Sequence, residues 1–169
     1  LEHVCGLSSA KTEQHVQEWD MWFQATDANG APKYTTEDTP DGPRRVPVMA
    51  VKMAKLDVSF VDDEGVQGYV DVAYTNACSF DAASTLRAAR TPGKAASERE
   101  DHKRKRYPPE LNPHAALIPF VVEARGRLGV EVLPFLKQHA PAEEPRRSAV
   151  LARALHDISI ITQQGLAAL

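Results

Sequence analysis

The chain has 169 residues, of which 43% are hydrophobic and 25% are charged, and its formal net charge is −3. These values are typical of one ordinary globular domain with a core of its own. No run of about eighteen apolar residues occurs, so no membrane span is predicted. Cys5 and Cys78 are the two cysteines, which excludes a disulfide framework and favours a reducing, intracellular compartment.

The chain starts without a Met or a signal-peptide pattern, so we expect it to be part of a longer protein. His3 and Cys5 match the end of a zinc knuckle whose other ligands would lie upstream. No second ligand pair at suitable spacing occurs in the chain. A frayed terminus is therefore the favoured interpretation.

The first predicted element is a helix over residues 14–23, with Ser9 as a plausible N-cap and with Val16, Trp19 and Phe23 on one face. Next comes a stretch rich in Pro, Gly, Thr and Asp, over residues 31–47. This composition predicts a loop or an irregular hairpin.

Two short runs rich in β-branched and aromatic residues, at 54–61 and 69–74, predict a β-hairpin around the loop Asp62–Gly65. Each run carries one aspartate, Asp57 in the first and Asp71 in the second. The strand register, which the sequence leaves open, decides whether the carboxylates meet. Adjacent carboxylates repel each other unless a cation lies between them, and the usual cation is a divalent metal such as Mg²⁺. The alternative is that Asp57 accepts a backbone hydrogen bond and Asp71 pairs with an arginine.

The remaining elements are four helices and one strand. Helices are predicted from about 81 to 90, from about 95 to 107, from 130 to 139 and from about 146 to 164, with a strand at 117–123. The strand is apolar enough for the centre of a sheet, and Pro119 predicts that its beginning lies outside the ladder. The order of elements predicts an α/β fold, a small mixed β-sheet flanked by helices. Residues 1–47 would form an N-terminal helix and irregular segment, and residues 48–169 the α/β domain, as one compact unit.

The segment from Arg87 to Arg106 is basic, with eight Lys or Arg against three acids, a net charge of +5. A solvated helix face and contact with a phosphate backbone both account for such a segment. The candidate nucleic-acid contacts are Arg87, Arg90, Arg99, Arg104, Lys105 and Arg106.

Four short motifs occur in one order along the chain. They are Lys55-Leu56-Asp57, Asp71-Val72-Ala73, Lys103-x-x-Arg106-Tyr107, and Pro119-Phe120-Val121-Val122-Glu123 leading to Gly126 and Gly129. Over residues 50 to 166 this order resembles the restriction-like endonuclease domain that follows the reverse transcriptase in site-specific non-LTR retrotransposons. Those domains belong to the PD-(D/E)XK nuclease superfamily.

The resemblance implies roles for individual residues. Asp57 and Asp71 match the two acids that hold Mg²⁺ or Mn²⁺, and Lys103 and Tyr107 match the catalytic lysine and tyrosine of the following helix. Three positions depart from the pattern, because Leu56 replaces a proline, and Ala73 and Arg106 each replace a lysine.

Two further acids are candidate residues of the site because of their position in the chain. Glu37, before the hairpin, is either a third metal-binding carboxylate or a solvated loop acid. Glu123 is either a polar group of the site or the partner of Arg125 or Arg127, and the pairing is favoured.

The resemblance implies a metal-dependent DNA endonuclease that nicks target DNA for target-primed reverse transcription. It also implies DNA and an attached reverse transcriptase as partners, and a nuclear location. The alternatives are a catalytically inactive nuclease fold with a nucleic-acid-binding or structural role, and a protein-interaction domain that uses the C-terminal helix.

Overall fold

In the computed structural model, which describes residues 10–76 and 82–167, the chain forms eight strands and four helices within those ranges. The strands are β1 (Lys11–His15), β2 (Met21–Gln24), β3 (Tyr34–Thr39), β4 (Gly42–Pro47), β5 (Met49–Lys52), β6 (Lys55–Val61), β7 (Gln67–Thr75) and β8 (Ala115–Glu123). The helices are α1 (Ala82–Arg90), α2 (Lys94–Arg106), α3 (Val132–Gln138) and α4 (Arg146–Ala167), and short 3₁₀ turns occupy Gln17–Trp19 and Pro109–Leu111. The predicted mixed α/β class is confirmed. In the described residues, no helix combines the length and apolar character needed to cross a membrane.

Contacts divide the chain into two units, one of residues up to Gln14 together with those from Leu56 onward, and one of residues His15–Lys55. The sequence placed the division between residues 47 and 48 and expected one compact unit. The boundary falls later because β5, at residues 49–52, pairs with β2 and so belongs to the smaller unit.

The larger unit is built on a four-stranded mixed sheet in the order β1-β6-β7-β8. The predicted hairpin is confirmed, since β6 and β7 pair antiparallel around the turn at Asp62–Gly65. The Asp62 carboxylate fixes this turn by accepting the N–H groups of Glu64 and Val66. β8 lies parallel to β7, and a parallel pair needs the long crossover that α1 and α2 provide.

Alternation along β7 directs its side chains to two different cores. Val70 packs with Phe60, Phe135 and Ala154 on the face that α3 and α4 cover. Ala73 packs with Ala96 of α2 and Val121 of β8 in a second, smaller cluster. Because Asp71 has the same parity as Ala73, its side chain shares the α2 face of the sheet.

The smaller unit consists of two antiparallel ribbons, β2 with β5 and β3 with β4. The loop or irregular hairpin expected over residues 31–47 is therefore a regular hairpin, with Tyr34 opposite Pro47 and Thr39 opposite Gly42. Arg45 adds a cation–π contact, its guanidinium carbon lying 4.0 Å from the centre of the Tyr34 ring.

The predicted helix over residues 14–23 is wrong, because this stretch contains the end of β1, a 3₁₀ turn and β2. Partners distant in sequence decide its conformation. The Val16 N–H donates to the Ala54 carbonyl at 2.9 Å, and the Asp20 carboxylate accepts the Ala54 N–H at 2.7 Å. Such pairing overrides the three apolar positions that suggested a helix. Ser9, the predicted cap, lies outside the described residues.

The predictions for β8 are wrong in two respects. The strand begins at Ala115, so Pro119 lies inside the ladder, opposite Asp71. It is also an edge strand rather than a central one, and an edge is the position at which a sheet tolerates proline. The apolar sequence reflects helices packed on both faces, since α2 and α3 each contact β8.

Candidate functional site

The two aspartates face each other across the β6–β7 hairpin. The antiparallel register ends with Val58 opposite Val70, and Asp57 and Asp71 are the residues next to this last pair. The Asp57 carboxylate accepts the N–H of Val72, and its charge acts on the Asp71 carboxyl, so the two side chains are close together. The structure therefore brings together the two carboxylates that the sequence left unplaced.

Their surroundings differ. Asp57 is exposed, and its Oδ2 accepts the N–H of Val72 at 2.6 Å. Asp71 is buried under α2, with 4% of its surface exposed. The alternative of a backbone hydrogen bond to Asp57 is thus realised in the structure. It leaves the other oxygen of that carboxylate for a further interaction.

Lys103 reaches this pair from α2. Its Nζ lies 2.6 Å from Oδ2 of Asp71, and the lysine and aspartate side chains are 12% and 6% exposed. The partner of Asp71 is therefore this lysine and not an arginine. At this distance the ammonium donates a charge-assisted hydrogen bond to the carboxylate, so Lys103 compensates the buried charge of Asp71.

The electrostatics of Asp71 follow from this geometry. Burial raises the pKa of its carboxyl, Lys103 counteracts the rise, and the neighbouring Asp57 adds to it. Two neighbouring carboxylates repel each other, and a cation bound between them relieves that repulsion. The acidic pair, Asp57 and Asp71, therefore fits a divalent metal with oxygen ligands.

Tyr107 follows α2 directly and is buried at the same site. Burial raises the pKa of its hydroxyl, and the charge of Asp71 raises that pKa further. The phenol therefore stays protonated at neutral pH and is able to donate a hydrogen bond. The Arg106 guanidinium carbon lies 5.0 Å from the centre of the Tyr107 ring.

Glu123 has a structural role. One of its oxygens accepts the N–H of Ala96 at 3.1 Å, in the first turn of α2, and the other lies 3.6 Å from Nε of Arg127. The favoured pairing with Arg125 or Arg127 is confirmed for Arg127. By accepting the Ala96 N–H, Glu123 anchors the start of the helix that carries Lys103.

The predicted nucleic-acid contacts occupy the helices of the crossover. Arg87 and Arg90 lie in the last turn of α1, and Arg99, Arg104, Lys105 and Arg106 lie on α2. All are exposed except Arg106, which is partly buried. Arg104 forms ion pairs with Glu131 and with Asp101, the latter at 3.7 Å.

Glu37 belongs to the smaller unit, where it is exposed on β3 opposite Arg44. Among the described residues, no group of three or more His, Cys, Asp or Glu is placed to hold a metal ion. The role of third carboxylate therefore gains no support from the structure. His3 and Cys5 lie outside the described ranges.

Sequence reasoning missed Glu100, which is almost completely buried on α2, with 1% exposed. The signal was present in the spacing of Ala96, Glu100, Lys103 and Tyr107. Steps of four, three and four residues place these side chains on one helical face. Because most residues of this segment are charged, the four side chains that face the sheet were not recognised as a group.

Comparisons of the chain with protein-family models, with curated proteins and with solved structures found no match. A functional proposal for this chain therefore depends on its own residues and on the sequence resemblance described above.

Proposed function

We propose that this chain is a metal-dependent DNA endonuclease domain of the PD-(D/E)XK type, which nicks target DNA to prime reverse transcription by a retrotransposon. The observation that carries the proposal is the convergence of Asp57, Asp71 and Lys103 on one face of the sheet. Two acids on adjacent strands and a lysine from the following helix are the groups that the resemblance requires. The lysine absent at Ala73 is thereby replaced from α2.

The acidic pair would hold Mg²⁺ or Mn²⁺. In such sites the metal supplies activation of water for attack on phosphorus and neutralisation of charge on the phosphate oxygens. Asp57 would offer its exposed carboxylate, and Asp71 the buried carboxylate that Lys103 contacts. The Val72 N–H holds the Asp57 side chain and the Lys103 ammonium holds that of Asp71, so little ordering is needed on binding.

Lys103 and Tyr107 complete the site. The Lys103 ammonium, already held next to Asp71, would stabilise negative charge that develops on the phosphate in the transition state. Tyr107 is protonated at neutral pH, as a phenol ordinarily is, and would donate a hydrogen bond to a phosphate oxygen. The exposed basic side chains of α1 and α2 would contact the DNA backbone.

A second candidate is a catalytically inactive nucleic-acid-binding module with the same fold. It is favoured by one observation: each aspartate already has a structural partner, Asp57 the N–H of Val72 and Asp71 the ammonium of Lys103. The two candidates differ in whether the acidic pair binds metal and cleaves DNA.

A plasmid-nicking assay tests the proposal. Supercoiled plasmid is incubated with Mg²⁺, Mn²⁺ or EDTA and with the native chain, Asp57→Asn, Asp71→Asn or Lys103→Met. Asparagine keeps the shape and the hydrogen-bond acceptor but removes the charge, so loss of activity reports on metal binding. We expect metal-dependent nicking that both asparagine variants abolish and that Lys103→Met lowers about 100-fold.

Asp63→Asn is the matched control, since Asp63 is an exposed acid in the turn of the same hairpin. It should nick like the native chain. Equal nicking by all variants would identify a contaminating nuclease. DNA binding by the native chain without any nicking would replace the proposal with the inactive module.

A further inference from the structure

Glu100 is a buried acid for which the proposed reaction has no use. It lies on α2, and its Oε1 is 3.4 Å from the N–H of Glu131, which it accepts in the turn before α3. Burial raises the pKa of its carboxyl, while the N–H groups of Glu131 and Val130 and the charge of Arg104 counteract the rise. Burying a carboxyl group this deeply costs free energy unless hydrogen bonds or a counter-charge compensate it.

Gly129 provides the space for this carboxylate. A Cβ at that position would lie 2.2 Å from Oε1 of Glu100, so only glycine allows the approach. The Gly129 N–H in turn donates to the Val121 carbonyl at 2.8 Å. Glu100 therefore connects α2, through the 129–131 turn, to the backbone of β8.

Arg104, one turn after Glu100, makes a second contact with the same turn through its ion pair with Glu131. Lys103 precedes Arg104 and points to the sheet, where it meets Asp71 on β7. Because β8 is paired with β7, α2 is attached to the same pair of strands at two points, to β8 through the 129–131 turn and to β7 through Lys103. These two attachments fix the position of α2 along the sheet at the level of Lys103.

We infer that Glu100 is a positioning residue, whose contacts with the Gly129–Glu131 turn hold α2 so that the Lys103 ammonium stays next to Asp71. This inference concerns the role of Lys103 and so rests on the proposed nuclease function. Its geometric part, the dependence of the Lys103–Asp71 pair on Glu100, is measurable without any activity.

That part is tested by NMR titration of the Asp71 side-chain carboxyl in the native chain, Lys103→Met, Glu100→Ala, Glu100→Gln and Gly129→Ala. Removing Lys103 raises the titration midpoint of Asp71, because the lysine stabilises the carboxylate. We expect Glu100→Ala and Gly129→Ala to give at least half of that rise. Glu100→Gln keeps an oxygen that accepts the Glu131 N–H, so it should stay near the native midpoint.

Glu98→Ala is the control, because Glu98 is an exposed acid on the same helix that pairs only with Lys94 among the ion pairs of the described chain. An Asp71 midpoint that is native in both Glu100→Ala and Gly129→Ala would overturn the inference. If Glu100→Ala does not fold, Gly129→Ala alone decides, since it displaces the carboxylate without removing it.

Nicking rates supply the second readout. Misplacement of a catalytic group by about 1 Å can cost about 100-fold in rate, so Glu100→Ala should slow nicking about 10- to 100-fold. In the Lys103→Met background the same change should add no further loss, because the two residues act through one contact. Independent, multiplying losses would indicate a merely structural role. If the native chain does not nick at all, the nuclease proposal fails, while the titration still decides the role of Glu100.

Discussion

At the scale of single residues, two aspartates of the same hairpin have different environments. Asp57 and Asp71 are close together, yet Asp57 is exposed and Asp71 is covered by α2. Burial raises the pKa of Asp71, and Lys103 limits the rise. The lysine is therefore part of the fold as well as part of the proposed site.

Removing this lysine should destabilise the protein in a pH-dependent way. A carboxyl whose pKa is raised by folding contributes stability that is present below its unfolded pKa and is lost as the pH rises through its folded pKa. In Lys103→Met the ionised Asp71 has no counter-charge. We therefore expect a loss of about 3 kcal/mol in the free energy of unfolding at pH 7, and a smaller loss at acidic pH, where Asp71 is protonated.

Urea unfolding of the native chain and of Lys103→Met, at pH 7 and at a pH below the unfolded pKa of Asp71, measures this difference. Lys105→Met serves as the control, since Lys105 is an exposed lysine on the same helix. A loss that is equal at both pH values would show that the lysine does not act through the charge of Asp71.

At the scale of elements, α2 combines buried and exposed side chains. Ala96, Glu100 and Lys103 face the sheet. Arg99, which lies beside that face, and Lys105, which lies on the opposite side of the helix, are exposed. The helix is thus both the support of the proposed catalytic lysine and a candidate surface for the DNA backbone.

The exposed basic side chains of α2 lead to a prediction about the salt dependence of DNA binding. Each phosphate contact that is removed should lower the slope of log K against log salt by about 0.9. We expect this decrease for Arg99→Ala and for Lys105→Ala, with the fold unchanged. Arg104→Ala should change the slope less, because its guanidinium already pairs with Asp101 and Glu131.

Fluorescence anisotropy of a labelled duplex at several salt concentrations measures these slopes. Asp101→Ala is a useful comparison, because it frees Arg104 from one of its two acidic partners and should strengthen binding. If all four variants have the same slope as the native chain, α2 is not part of the DNA-binding surface.

At the scale of the whole molecule, the smaller unit is an insertion between two strands of one sheet. The chain leaves the larger unit after β1 and returns at β6, and these strands are neighbours in the sheet. The Val16 N–H donates to the Ala54 carbonyl at 2.9 Å, so the two ends of the insertion are in contact. A short linker is able to replace what lies between them.

We expect a chain in which residues 17–53 are replaced by a short Gly-Ser linker to fold cooperatively. The four-stranded sheet and both of its clusters lie in the larger unit, whereas the insertion consists of two-stranded ribbons, which are marginal alone. Thermal unfolding followed by circular dichroism would test this, with the isolated 15–55 peptide in parallel. A non-cooperative transition in the shortened chain would show that the larger unit depends on the insertion.

Short-range patterns determined much of the larger unit. The β6–β7 hairpin, the break between the helices predicted at about 81–90 and 95–107, and the C-terminal helix are present, although the second helix already begins at Lys94. Asp57 and Asp71 were candidates because each lies on one of the predicted strands, whereas Lys103 was a candidate through the family resemblance. In each case the signal lies within a few residues, where local propensity and capping act.

Tertiary structure alone decided the rest, because the deciding partners are far apart in sequence. Residues 14–23 are extended and turn-like because Ala54 and β5 pair with them, and β8 is at an edge because nothing in the described chain pairs beyond it. The sequence could not show the register of β6 and β7 that brings Asp57 close to Asp71. Nor could it show that Lys103, which is 32 residues after Asp71, contacts that aspartate. The sequence supplied the charged groups, and only long-range packing of α2 on the sheet placed them within one contact of each other.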